Sequence, residues 1–439
     1  MISSHNMELH QDLTYKKIFI FWFPLLSAWM MMAFEGPYIA AVIGRLPDVK
    51  HNLAGYGIAY SVGLLVESPI IMLMSASTAM VNSRKSYIKL RNFTFSLIIF
   101  LTLIIISILI KPVYNFIFQD ILKLNEEVKN IVYYAIAGLI PWSGAIGYRR
   151  FYQGIIIKYG KTQQVAFGTF TRLITIILIA LILKIYTNIN SALLGTLTLS
   201  SAVIVEAVVT RIFAIKPVSK ILSIDKDEHL TYLDILRFYF PMAMTPLIAL
   251  VVPPLTTFSL LKGKHPVESA AIMPVLNSLT FVFRAVGLSF QEVAIALMDE
   301  NFKNYKKIRN FMRGLFIFNL LGYSTISFTP LSDYYFIKIS GMTDELAKMA
   351  KIPARILTFI PPFTALLAFQ RSLIVKKGVT MHMTTATIIE VSVAFSILIT
   401  IPFLDIPSII IASSALLIGR ILSNLYLHFV IIKTVEIEK

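Results

Sequence analysis

Ile155-Ile-Ile-Lys-Tyr-Gly-Lys-Thr162 returns 218 positions later as Leu373-Ile-Val-Lys-Lys-Gly-Val-Thr380. Two other pairs keep nearly the same spacing. Phe21-Trp-Phe-Pro-Leu25 matches Phe238-Tyr-Phe-Pro-Met242 at an offset of 217, and Lys89-Leu-Arg-Asn-Phe93 matches Lys307-Ile-Arg-Asn-Phe311 at 218. Three matches in order at almost one offset point to a duplicated structural unit. The fold is therefore that of one unit, built twice.

The unit is too apolar for water. Hydrophobic residues make up 56% of the 439 and charged residues only 15%, where a soluble domain carries roughly a quarter charged. The mean hydropathy is +0.74. Phe93–Ile110, Ser191–Ile215 and Ile406–Ile432 approach or exceed the roughly 20 residues needed to cross a bilayer, with at most two charges in each. The chain reads as an all-α integral membrane protein.

Charged loops and Gly/Pro punctuation divide the chain into about twelve spans. The first six are expected over 18–44, 54–81, 93–118, 130–156, 163–186 and 190–215. The second six are expected over 233–261, 268–298, 311–337, 347–375, 380–404 and 407–433. The domain plan is a cytoplasmic N-terminal segment 1–17, an N-lobe 18–215, a connector 216–232, a C-lobe 233–433 and a tail 434–439. The N-terminal segment has no cleavable-signal pattern, so the first span is read as retained. An even number of spans per unit inserts both copies the same way up, so the repeat axis is expected along the membrane normal, with two lobes and a cleft between them.

The net charge of +16 and the isoelectric point near 9.7 would suggest nucleic acid in a soluble protein. Here the basic residues fall in alternate loops: Lys16/Lys17, Arg84/Lys85/Lys89/Arg91, Lys158/Lys161, Lys216/Lys220/Lys226, Lys303/Lys306/Lys307/Arg309, Lys376/Lys377 and Lys433. The other side carries a thinner scatter, such as Lys50, Lys111, Lys184 and Lys338. That bias puts both termini and the connector in the cytoplasm, against anionic lipid headgroups, with no nucleic-acid partner.

An ionised side chain at the bilayer centre costs roughly 2.5–3.5 kcal/mol on insertion scales, so it usually faces a polar path. The candidates are Glu35, Glu67, Arg284, Arg172, Glu390, Arg149, Arg150, Arg355 and Arg371, with Asn277 as a polar lining residue. Glu206, Glu292 and Arg420 also lie in or near apolar stretches. At an offset of 218 Arg172 corresponds to Glu390, and at 217 Glu67 corresponds to Arg284. Glu67 and Arg284 are thus expected either to pair across the cleft or to find private partners in their own lobes. Pro37, Pro69, Pro141, Pro253, Pro254 and Pro361 mark expected helix breaks, and Pro246 and Pro274 mark helices open to bending. Broken spans are tolerated where protein or a cavity satisfies the freed carbonyls. Glu35 and Glu67 each precede such a break, a fitting place for H+ or Na+. No other metal site is expected.

Enzymatic chemistry has no inventory. The seven His are scattered singly, there is no Cys, and no H-E-x-x-H, G-x-S-x-G or P-loop pattern is present. No cofactor is expected.

The pattern resembles the multidrug/oligosaccharidyl-lipid/polysaccharide (MOP) flippase superfamily, which includes the MATE transporters. Within it, Leu53-Ala-Gly-Tyr-Gly-Ile-Ala-Tyr-Ser61, Val81-Asn-Ser-Arg84, Pro353-Ala-Arg-Ile-Leu-Thr-Phe-Ile-Pro361 and Glu67-Ser-Pro-Ile-Ile-Met-Leu-Met-Ser-Ala-Ser77 are most similar to the progressive ankylosis (ANKH-like) branch and its bacterial relatives. The resemblance implies a V-shaped, MATE-like transporter working by alternating access, a small-molecule substrate, a monomer and a bacterial plasma (inner) membrane. Ankylosis-type relatives imply efflux of an organic or phosphate-bearing anion. MATE relatives imply organic cations exported against H+ or Na+, and other branches imply lipid-linked sugars, a less favoured alternative because no spans beyond twelve are evident.

Overall fold

The computed structural model describes residues 13–226, 230–298 and 301–434. Residues 1–12, three positions of the connector (227–229), 299–300 and the tail 435–439 lie outside the described residues. The described chain is all-helical, and eleven helices are long and apolar enough to cross a membrane, or twelve if one bent pair counts as a span.

The first span joins α1 (Tyr15–Ala33) to α2 (Glu35–Ile43), and the second joins α3 (Val49–Glu67) through a 3-10 turn, Ser68–Ile70, to α4 (Leu73–Met80). Next come α5 (Arg84–Ile108) and a short pair, α6 (Lys111–Asn115) with the π-helix Phe116–Ile121. The fourth span joins α7 (Glu126–Gly138) to α8 (Ile140–Lys158), and α9 (Thr162–Tyr186) and α10 (Ser191–Leu222) complete the set. The second copy repeats this order. It runs α11 (Tyr232–Ala249), α12 (Val252–Leu260), α13 (Pro266–Leu288), α14 (Phe290–Leu297) and α15 (Tyr305–Ser327). After α16 (Leu331–Asp333) and the π-helix Tyr334–Ile339 come α17 (Asp344–Leu357), α18 (Ile360–Lys377), α19 (Met381–Leu398) and α20 (Ser408–Thr434).

The duplication extends to backbone detail. The π-helices start 218 positions apart, at Phe116 and Tyr334. The side-chain caps Asn125 and Thr343 open α7 and α17 at the same offset. Gly160 and Gly378, also 218 apart, hold positive φ of 74° and 79° where α8 and α18 end, a conformation open to Gly without a Cβ penalty.

Proline chemistry sets most interruptions. Pro37, Pro69, Pro141, Pro253 and Pro361 each stand within the first three residues of a helical segment that follows a break, where a missing N–H goes unneeded. Pro246 and Pro274 lie inside the continuous helices α11 and α13. The ninth span is not the straight helix expected over 311–337, because it bends by 82° between Ser327 and Leu331. Pro330 cannot supply the N–H that would carry α15 onward. The third span likewise stops at Ile108, before Pro112, rather than running to 118.

The chain forms two compact units, which within the described residues comprise 23–239 and 13–22 plus 240–434. The divisions fall inside α1 and α11 rather than in the connector. In the second unit Trp22 donates from Nε1 to Ser289 Oγ (2.9 Å) and packs edge-on against Phe311. In the first unit Tyr239 donates to the Pro69 carbonyl and packs against Phe93.

The broken span α17/α18 is the most buried of the second unit, and in the first unit the broken α7/α8 and the sixth span, α10, are the two most buried. In the tenth span 67% of the apolar window is buried, against 17% in the third, so the central helices face protein and the outer ones present large apolar side chains such as Phe100 and Leu103 outward. Small residues permit the close approach that membrane helices use in place of a hydrophobic drive. A Cβ at Gly419 would lie 2.6 Å from the Glu390 carbonyl oxygen, so α19 and α20 touch there by backbone. Gly419→Val is expected to cost about 1–3 kcal/mol through overpacking. A lowered melting midpoint of the purified protein is the check.

Candidate functional site

Each unit gathers several ionised residues of its apolar interior into one cluster. In the first unit Glu35 opens α2, and α9 brings Arg172 against it in an ion pair. Arg172 reaches on from Nη1 to Glu206 Oε2 on α10 at 3.5 Å, and Arg149 of α8 binds the same oxygen. The other oxygen, Glu206 Oε1, accepts from Thr169 Oγ1 (3.1 Å) and Gln153 Nε2 (3.3 Å). Glu206 is wholly buried.

Glu67 ends α3 beside this group, within the fields of Arg150, Arg149 and Arg172. Arg150 also donates to Met74 Sδ at 3.7 Å. Glu67 makes no hydrogen bond or ion pair among the described residues. Glu35 Oε1, on the far side of its paired oxygen, is buried and receives no hydrogen bond. Three acids therefore face three arginines in a setting where charges interact far more strongly than in water, and two of the acids keep acceptor capacity in hand. Tyr60, stacked on Tyr56 and tilted against Trp142, walls this region and lies in the field of Glu67 and Glu35.

The second unit has a different balance. Glu390 on α19 accepts from Arg420 of α20 through Nε (3.0 Å) and Nη2 (2.7 Å), and Arg420 Nη1 donates to Thr364 Oγ1 (2.9 Å). Arg371 of α18 donates to Thr387 Oγ1 at 3.0 Å. Arg284, half-buried on α13, makes no hydrogen bond or ion pair among the described residues. Its Nε is buried without a partner, and its charged neighbours are Arg420, Glu390 and Arg371. Three arginines here share one carboxylate.

Of the expected residues, Glu35, Glu67, Arg172, Arg149 and Arg150 thus come together in the first unit, and Arg284, Arg371 and Glu390 in the second. Glu67 and Arg284 each lie in the field of charged neighbours within their own unit, and among the described residues neither makes an ion pair or hydrogen bond there. Asn277 is exposed two turns before Arg284 on α13. Arg355 stands elsewhere, over the Phe328 ring at 5.4 Å and donating from Nε to the Ser327 carbonyl (3.4 Å) at the bend of the ninth span.

Glu206 and Arg420 matter more than their sequence context suggested, since each anchors its cluster. The repeat held a signal for the hydroxyl partners. Thr169 and Thr387 stand 218 apart, as do Gln153 and Arg371, and each of the four bonds inside its cluster.

No family model matches the chain, and no curated protein matches it. Solved structures do. The chain is similar in fold to a MOP-superfamily transporter from Pyrococcus furiosus, described as having a binding pocket of reversed polarity, at TM-score 0.77 with 11% identity over 99% of this chain and 98% of that one. An outward-facing MATE-family multidrug-resistance transporter matches at TM-score 0.76 with 13% identity over 99% and 98%. A eukaryotic MATE transporter matches at 0.69 with 13% identity over 95% of each chain. The fold is that of the MOP-superfamily transporters.

Proposed function

We propose that the chain is a secondary transporter that exports a small solute by alternating access, coupled to a gradient of H+ or Na+. The observation that carries this reading is the placing of ionised side chains at the interruptions of membrane-length helices. Glu35 opens the half-helix after the first break, and Glu67 closes the helix before the second. Stability alone has little use for acids there, because a buried ion pair gains less than well-packed apolar side chains of similar volume. A carrier needs groups that exchange partners, and Glu67 and Glu35 Oε1 have that capacity.

The second unit supports an anionic substrate, since the field around Arg284 contains two further arginines and one carboxylate. The resemblance to the progressive ankylosis branch agrees with this choice. A second reading, export of organic cations by a MATE-type antiporter, draws on Glu35 and Glu67 and on the multidrug-resistance neighbour. Flipping of a lipid-linked sugar has less in its favour. The basic-loop bias supports cytoplasmic termini in a bacterial plasma membrane, and the whole chain is proposed to act as a monomer.

Transport assays in proteoliposomes separate these readings. Wild-type protein is expected to drive uptake of an anion or a cationic dye when a proton or sodium gradient is imposed. Glu67→Gln is expected to remove the gradient dependence while the protein elutes as a single species. Unchanged flux at every pH and Na+ concentration removes Glu67 from coupling, and no flux of any solute class removes the transporter reading.

A further inference from the structure

Outside the buried clusters, one group of metal-ligating side chains has no part in the transport reading. It lies at the corner between α2 and α3. Asp48 caps α3 in the left-handed region (φ 52°, ψ 52°), a conformation Asp tolerates better than most residues. His51, in the first turn of α3, sets its Nδ1 2.7 Å from Asp48 Oδ1 and 3.5 Å from Glu127 Oε1. Glu127 belongs to the first turn of α7, which packs along α3. The three donor atoms all lie within 4.8 Å of one another.

We propose that Asp48, His51 and Glu127 bind a divalent transition-metal ion of the Zn2+ or Mn2+ class, with water completing the shell. Donor type fits, since imidazole with carboxylate suits Zn2+, and carboxylate with water suits Mn2+. Spacing fits too. Bonds of about 2.1 Å put neighbouring ligand atoms about 3.4 Å apart in a tetrahedron and about 3.0 Å in an octahedron, and the two separations to Nδ1 bracket those values. Charge also fits, because two carboxylates with a neutral imidazole offset one divalent ion. Among the described residues no Lys or Arg pairs with Asp48 or Glu127, whereas the adjacent Glu126 is already taken by Lys129 at 2.7 Å.

The duplication supplies an independent observation. His265, at an offset of 217 from Asp48, also caps its helix in the left-handed region (φ 53°, ψ 57°). Glu268 stands 217 after His51, and Glu345 stands 218 after Glu127. Both units therefore carry one His and two carboxylates at the same corner, with His and acid exchanged between two positions. In the second unit the donor atoms are not gathered within the same distance, so one ion per chain is expected. Bound there, the ion ties the start of the second span to the start of the fourth.

The test uses the purified full-length protein, stripped with EDTA and titrated with ZnCl2 or MnCl2 by calorimetry, with melting followed in parallel. The expected result is saturable binding of one ion per chain and a melting midpoint raised on the order of 5 °C at saturating metal. His51→Ala with Glu127→Gln is expected to weaken binding by at least 100-fold, while His265→Ala leaves it unchanged. Should the double variant fail to fold, Asp48→Asn, which keeps the shape and removes one charge, is expected to give at least a tenfold loss. Binding that does not saturate, or that is equal in wild type and variants, means an adventitious ion only and overturns the site. So does a midpoint that responds to pH but not to metal, which leaves a plain His–carboxylate cluster.

Discussion

Arg284→Gln is expected to leave the melting midpoint of the purified protein unchanged or higher while reducing solute flux at least tenfold. The two effects have one cause. Arg284 makes no hydrogen bond or ion pair among the described residues, and two of its three charged neighbours are arginines. An unpaired charge in the bilayer interior is a cost of roughly 2.5–3.5 kcal/mol, and neutralising it relieves that cost. If the residue meets substrate, the same change removes the attraction that a bound anion would feel. A purely structural arginine has the opposite signature, with lost stability and modest change in flux. Arg420→Gln provides the contrast, because it strands Glu390 and Thr364 and is expected to destabilise. Thermal melting by size-exclusion and proteoliposome flux, measured on the same preparations, decide between them. A lowered midpoint for Arg284→Gln would assign it a structural role.

Glu206→Gln is expected to destabilise the first unit by about 3–5 kcal/mol, enough to deplete monodisperse protein. Glu206 receives Arg149 and Arg172 on one oxygen and Thr169 and Gln153 on the other. A neutral amide in its place leaves two guanidinium groups short of a counter-charge, and breaking a buried pair costs far more than the pair itself contributes. The double variant Arg149→Met/Glu206→Leu, which withdraws both charges, is expected to recover a large part of the loss. A double-mutant cycle at these two positions measures the coupling directly, and additive losses would mean that the two groups act separately.

Much of the fold was legible because its causes are local. Apolar run length marks a span, and Pro141 or Pro361 breaks a helix through its own missing N–H. Pro330 and Pro112 have the same chemistry, but the apolar pattern around them continues on both sides and hides the interruption. The break at Ser289 carries no proline and left no local mark. The clusters were legible as a set of costly residues but not as pairs. Glu35 and Arg172 are 137 positions apart, and only the packing of α2 against α9 makes them partners. The offset of 218 could tell which positions correspond, yet not that Gln153 in one copy and Arg371 in the other would turn to different partners.

The division of the two units within α1 and α11 has a consequence for biosynthesis. Residues 13–22 are synthesised long before the body they belong with, the rest of which resumes at residue 240, inside α11. The first body, in turn, stays incomplete until Tyr239 has been translated. Neither half of a gene cut at the connector encodes a finished bundle, so two such fragments should be stable only when made together, each lending the other its opening helix turns.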